Sequence, residues 1–242
     1  MDEIEALRRQ RMTGPQIARR LGMARSTVGL ILRRLGLGRL ALLDPRPPIV
    51  RYERDRPGEM IHLDIKKLGR INGVGHRFTG RGPGTHNLGR GWDFLHVCVD
   101  DASRLAYTEL LPSERKEDTT AFLQRALDWL NRHGVAVERV MTDNGSAYRS
   151  RLFASALSRA GARHVRTRPY TPRTNGKAER FIQSALREWA YGWTYQNSAH
   201  RTDALSSWQH HYNWHRTHSG IGGTAPMSRL PKSRNNLLTV HT

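Results

Sequence analysis

From Gly58 onward the apolar residues change their period in a fixed order, and that order limits the folds open to the chain. Met60-Ile61-His62-Leu63-Asp64-Ile65 alternates, with Ile61, Leu63 and Ile65 on one face and His62 and Asp64 on the other. Trp92 to Asp101 and Arg104 to Leu110 read as two further strands, joined by the turn Asp101-Ala102-Ser103. Residues 116–132 switch to helical spacing, with Phe122, Leu123, Ala126, Leu127 and Leu130 on one stripe. Val137 to Thr142 is a largely apolar strand that ends at the turn Asp143-Asn144-Gly145. A helix over about 149–160, a short strand near His164–Arg166 and a longer helix from Asn175 to Trp193 follow, and Trp208 to His215 is helical too. Three strands, then helices alternating with two short strands, predict an α/β fold: a mixed five-stranded sheet flanked by helices.

A different pattern precedes it. Residues 2–10 form a short helix with Ile4 and Leu7 inward. Thr13 is a good N-cap, Pro15 suits a first turn, and Gln16 occupies the capping-box position. Ile17, Ala18 and Leu21 make the stripe of the second helix, and Gly22-Met23 is a tight turn. Val28, Ile31, Leu32 and Leu35 make the stripe of a third helix, which Gly36 ends. Helix, short glycine turn and helix is the helix-turn-helix arrangement, whose second helix enters the DNA major groove. Arg25, Ser26 and Thr27 would then face base edges, and Arg33 and Arg34 phosphates. Ala24 is a poor cap for that helix.

The expected domains are therefore a helix-turn-helix unit over 1–41, a Pro/Arg-rich linker over 42–57, a core over 58–195 and a helical tail over 196–242. Residues 71–91 hold seven glycines and no acid, and read as a mobile basic loop near DNA. No Gly-Lys-Ser/Thr follows, so this is not a phosphate-binding P-loop.

Charge narrows the partner. Forty basic residues against 21 acidic give a formal net charge of +19, and a polyanion is the simplest partner for such a field. Mean hydropathy is −0.66, and no apolar run approaches the ~20 residues that span a bilayer. The acidic start Met1-Asp2-Glu3-Ile4-Glu5 is no secretory signal, and the single Cys98 excludes an internal disulfide. A cytoplasmic, nucleoid-associated protein without a membrane or small-molecule cofactor is expected.

Three acids stand in contexts that suit metal-assisted phosphoryl transfer. That chemistry needs carboxylates converging on a point where hard divalent cations can sit. Asp64 lies within the first strand, Asp143 ends a later one, and Glu179 lies just inside a helix, behind Pro169-Tyr170-Thr171-Pro172-Arg173-Thr174-Asn175-Gly176-Lys177-Ala178.

Here the chain resembles the integrase catalytic core shared by retroviral integrases and the DDE transposases of bacterial insertion sequences. The family pattern is a strand Asp, then Asp-Asn-Gly, then an Asn-Gly-x-x-Glu-Arg helix. Thirty-five residues separate Asp143 from Glu179, as is typical of the family. His218 and the later Thr224-Ala225-Pro226 resemble the tail of these transposases, and the resemblance covers about residues 42–232.

The resemblance implies an RNase H-like fold. It implies DNA cleavage at the ends of a mobile element by hydrolysis, then joining of the freed 3′-hydroxyls to target DNA by transesterification, without a covalent protein–DNA intermediate. Asp64, Asp143 and Glu179 would hold two Mg²⁺ ions, for which Mn²⁺ may substitute. Arg173, Thr174, Asn175, Lys177 and Arg180 are expected near DNA. Pairing two element ends implies at least a homodimer on double-stranded DNA. The chain lacks the His/Cys zinc domain of retroviral integrases, and it has one helix-turn-helix where many related transposases have two. A short form of such a transposase is therefore expected. The alternative is a catalytically inactive or truncated transposase-derived DNA-binding protein or repressor. An RNase H-like nuclease acting on RNA–DNA hybrids fits the helix-turn-helix less well, because the RNA major groove is too narrow for such a helix.

Other groups leave choices open. Asp100 and Asp101 are a turn pair or additional ligands. His211 and His215 form an i, i+4 pair among four histidines, without an accompanying Glu or Cys. The six tryptophans read mainly as packing, with Trp214 the best candidate among them for a DNA contact.

Overall fold

The computed structural model describes residues 1–44, 53–71, 91–167 and 175–230. It divides into two units, Met1–Tyr52 and Glu53–Thr242.

The first unit holds α1 (Asp2–Arg9), α2 (Gly14–Leu21) and α3 (Arg25–Arg34). Ile4, Leu7, Ile17, Ala18, Val28, Leu32 and Leu37 form its core. The Thr13 N–H donates to Gln16 Oε1 at 2.8 Å, which satisfies one of the donors a helix start leaves open. Gly22 ends α2 at φ 64°, a conformation glycine enters without a Cβ clash, and so lets α3 begin three residues later. The buried Arg8 donates to the carbonyls of Met12, Leu37 and Gly38, tying α1 to the segment behind α3.

The second unit is built on a sheet of order β3-β2-β1-β4-β5. The strands are β1 (Ile61–Gly69), β2 (Trp92–Asp100), β3 (Ala106–Leu111), β4 (Arg139–Thr142) and β5 (Arg163–Arg166). β1, β2 and β3 are antiparallel neighbours, whereas β4 runs parallel to β1 and β5 parallel to β4. The mixed five-stranded sheet is as the periodicity predicts. α4 (Lys116–Arg132) and α5 (Arg151–Arg159) make the crossovers that parallel pairing requires. α6 (Gly176–Ala185) and α7 (Ser198–Trp214) follow.

The pleat sorts side chains onto two faces. Ile61, Leu63, Cys98 and Val140 pack with Phe122, Leu123, Phe153 and Leu157 of α4 and α5. Leu68, Leu95, Val97 and Val99 pack with Phe181, Ile182, Leu205, Trp208 and Tyr212 of α6 and α7. α7 thus shares the core of the sheet, although it falls in the segment expected as a tail.

Some boundaries differ from expectation. Arg104 adopts φ 67°, so β3 starts at Ala106 rather than at 104. The helix expected over 175–193 changes at Leu186–Ala190 into a π-helical turn. α7 begins ten residues before the predicted Trp208. The glycine-rich loop lies outside the described residues, apart from Ile71 and Gly91.

Two polar devices dock α7. Asp93, at the start of β2, accepts hydrogen bonds from Arg70 Nε (3.1 Å), Ser198 Oγ (2.7 Å) and Arg201 Nη2 (2.8 Å), and Arg201 is fully buried. Along the edge strand β3, the Asn213 amide both accepts from the Ala106 N–H (2.9 Å) and donates to the Ala106 carbonyl (2.8 Å). Gln209 Oε1 accepts the Thr108 N–H at 2.6 Å. The two amides sit four residues apart on α7, a rise of about 6 Å, and the groups they serve sit two apart on β3, about 6.7 Å. The periods match closely enough for one helix to satisfy two successive edge positions.

Candidate active site

β1 and β4 carry two of the three acids. Their parallel register pairs Ile61 with Val140 and His62 with Met141. The same offset, carried two residues further along both strands, meets Asp64 and Asp143. Residues in this phase point away from the Ile61–Val140 face, toward the side covered by α6. Asp143 follows the last residue of β4, and its Oδ1 accepts the Gly145 N–H at 2.8 Å, an Asx-type turn that fixes the carboxylate at the strand end. Glu179 is exposed, in the first turn of α6, whose Phe181, Ile182 and Ala185 anchor it to the sheet.

Asp143 and Glu179 both act electrostatically on Asp64. The Asp64 carboxyl is pushed up to about 6, first by burial and then by the negative charges of Asp143 and Glu179, against the Ile65 N–H and Lys66. Among the described residues, no three His, Cys, Asp or Glu side chains close into a metal-holding cluster. The donor chemistry nevertheless fits a hard divalent cation: all three groups offer oxygen, and their mutual repulsion is what a cation would relieve.

Behind the acids lies a buried polar network. His62, two residues before Asp64 on the same face of β1, has its Nε2 2.8 Å from Asp101 Oδ1 and its Nδ1 3.2 Å from Asn175 Oδ1. Asn175 Nδ2 donates to the Leu63 carbonyl at 3.1 Å. Asp101 Oδ2 accepts the Arg54 N–H at 2.8 Å and lies 3.5 Å from Lys177 Nζ. Burial alone would raise the Asp101 carboxyl, but the hydrogen bonds from His62 and Arg54 and the charges of Lys177 and His62 hold it at about 2. Asp100 is likewise committed, accepting N–H groups of Gly58 and Ser103 at 2.7 Å each. Both acids of the pair are thus anchors of the local fold.

Two integrase core-domain models match the chain, one over residues 54–172 and one over 160–226. The chain belongs to the integrase core-domain family. A protein of Spiroplasma virus SpV1-C74 named "Putative integrase ORF3" is 23% identical over 150 residues, covering 57% of this chain and 41% of that protein. The retrovirus-related Pol polyprotein from transposon TNT 1-94 of Nicotiana tabacum is 37% identical over 94 residues, covering 38% of this chain and 7% of the polyprotein. The chain therefore spans less than half the length of these curated relatives. A chain of the simian T-cell lymphotropic virus intasome, solved in complex with PP2A regulatory subunit B56 gamma, superposes with a TM-score of 0.55 at 16% identity, over 92% of this chain and 79% of that one, a likeness of fold.

Within this integrase core the residues expected near DNA divide. Arg180 is exposed, and Lys177 is half-buried beside Asp101. Asn175, also expected near DNA, is buried, and both polar atoms of its amide meet partners inside the protein, Nδ2 the Leu63 carbonyl and Oδ1 the His62 ring. Arg173 and Thr174 lie outside the described residues. In the first unit Arg25, Ser26, Thr27, Arg33 and Arg34 are all exposed.

The tail residues of the resemblance also have places. His218 and Thr224 form an isolated antiparallel bridge, and the His218 ring meets Tyr212 edge-on at 4.6 Å. Arg216 makes a two-pronged ion pair with Glu188 of the π-helical turn, with contacts of 2.7 and 2.9 Å. A cavity of about 750 Å³ is lined by Trp189, Trp193, Tyr195 and Trp208 among others, and none of the three acids borders it.

Proposed function

We propose that this protein is a DNA transposase of the integrase type, acting on the ends of an insertion sequence. The carrying observation is that the register of β1 and β4 and the first turn of α6 set Asp64, Asp143 and Glu179 on one side of the sheet, where the charges of Asp143 and Glu179 act on the half-buried Asp64. Under this reading Asp64, Asp143 and Glu179 hold two Mg²⁺ ions, with Mn²⁺ able to substitute. When bound, such ions polarise an attacking oxygen and stabilise a leaving one. The chain's own part is to hold the carboxylates aimed. Asp143 is set by its turn, Asp64 by the strand, and Glu179 by the helix packed across it. No side-chain nucleophile is required: water cleaves the 3′ end, and the freed 3′-hydroxyl then attacks target DNA.

The exposed Arg25, Ser26 and Thr27 at the start of α3 would read base edges, and Arg33 and Arg34 would bind phosphates. Arg180 extends the basic surface beside Glu179. Two DNA ends processed together call for at least two copies of the chain on DNA.

The test is a nicking and strand-transfer assay with Mg²⁺ or Mn²⁺, on duplexes bearing the inverted repeats that flank the gene. Asp64→Asn, Asp143→Asn and Glu179→Gln should each abolish both steps while leaving DNA binding intact. Activity surviving any one of them rejects the triad. Binding without cleavage by the unaltered protein would favour an inactive, repressor-like relative.

A further inference from the structure

We infer that Asn175, His62 and Asp101 form a positioning device that sets the Glu179 helix against the Asp64 strand. This rests on the triad reading above and adds residues that touch neither substrate nor metal.

The argument starts from a side chain in an unusual use. Asn175 is the N-cap of α6, and asparagine there ordinarily accepts an N–H of its own first turn. Here it makes no such bond. Its amide spans to β1 instead: Nδ2 to the Leu63 carbonyl and Oδ1 to His62 Nδ1. The Leu63 carbonyl can only accept, so the NH₂ group must face it and Oδ1 must face the imidazole. Asp101 Oδ1 on the other side of the ring also accepts. Both ring nitrogens of His62 therefore have a partner, Asp101 on one side and Asn175 on the other.

The chain of contacts then runs without a gap across three elements. Asp101, at the end of β2, is held by the Arg54 N–H; it holds His62 on β1; His62 holds Asn175 at the head of α6. Lys177 returns from the first turn of α6 to Asp101 and closes the circuit. Glu179 lies four residues beyond Asn175, about one helical turn, and Asp64 lies two residues beyond His62, one pleat repeat. A shift of α6 along the sheet would therefore have to break buried hydrogen bonds before it moved Glu179 away from Asp64. Such bonds are costly to leave unmade.

The experiment compares the unaltered protein with Asn175→Ala and Asn175→Asp, and with Asp64→Asn as the metal-site control. Mn²⁺ binding is measured by titration calorimetry, alongside thermal melting and affinity for duplex DNA. Removing groups that orient metal ligands costs about 10–100-fold in metal affinity. The expected result is a loss of at least ~10-fold for Asn175→Ala, with DNA affinity unchanged. Asn175→Asp keeps the acceptor that faces His62 and should recover most of the Mn²⁺ affinity, even where it melts as low as the alanine variant. Metal affinity that tracks melting temperature across both variants, or that neither variant alters, overturns the inference and leaves the triad standing. No Mn²⁺ binding by the unaltered protein, or equal binding by Asp64→Asn, overturns the triad and the inference together.

Discussion

His62 Nε2 lies 2.8 Å from Asp101 Oδ1, and neither side chain exposes any surface to solvent. Removing one partner of such a pair strands the other, at a cost of about 3–5 kcal/mol. Asp101→Ala should therefore unfold at lower urea concentration. The sign of its pH dependence follows from the Asp101 carboxyl, held at about 2 against an ordinary 3.8. A depressed acid stabilises the fold above its unfolded value and loses that contribution as pH falls through the folded one. The gap between variant and unaltered protein should be full at neutral pH and narrow between about pH 4 and 2.

Asp64 carries the opposite sign. Its carboxyl is raised to about 6, so between an ordinary 3.8 and that value the folded chain keeps a proton that the unfolded chain has released. Ionisation of Asp64 then opposes folding as pH rises through this window. Without divalent cations, Asp64→Asn should melt higher than the unaltered protein above pH 6, and the two should coincide below pH 4. A lower melting temperature for the variant above pH 6 would contradict the coupling.

Asp93 balances the fully buried Arg201, and Asp93→Ala leaves that guanidinium without its carboxylate. We expect a loss of about 3–5 kcal/mol in urea unfolding. Adding Arg201→Met should restore part of it, because an apolar replacement removes the stranded charge. A double variant as unstable as the sum of both singles would show that the ion pair itself contributes little.

The two classes of α3 arginine should separate in DNA binding. Arg25→Ala should cost about 1–3 kcal/mol on the preferred site and relax preference at one position. Arg33→Ala should weaken all sequences alike and lower the salt slope of binding by about 1. Fluorescence anisotropy across a salt series distinguishes them, and identical behaviour of both variants would remove α3 from the groove.

The placement of the three acids on their elements was legible because each sits in a local pattern: an alternating strand at Asp64, a turn at Asp143, a glycine-led helix start at Glu179. Strand faces were legible for the same reason. What could not be read locally was who meets whom. His62 and Asp101 are separated by 39 positions, and Asn175 lies 113 from His62. Asn175 is expected near DNA from the resemblance alone, and nothing local to the sequence tells that its amide turns inward to β1. One hint was present: His62 shares the face of Asp64, two residues away. The length of α7 was missed because Ser198, Asp203 and His210 interrupt its apolar stripe, and only docking against the β2–β3 side of the sheet accounts for it.

The amides of Gln209 and Asn213 have a consequence for how copies of this chain can associate. They occupy backbone groups that β3 would otherwise present to a passing strand. The opposite outer strand, β5, has four residues and carries an exposed arginine at each end, Arg163 and Arg166. Among the described residues, neither border of the sheet invites zipping into a continuous ladder between molecules. Among the described residues, association falls to side chains on helices and loops, which can come apart again. For a protein proposed to gather two DNA ends and then release the joined product, reversible company is the more useful kind.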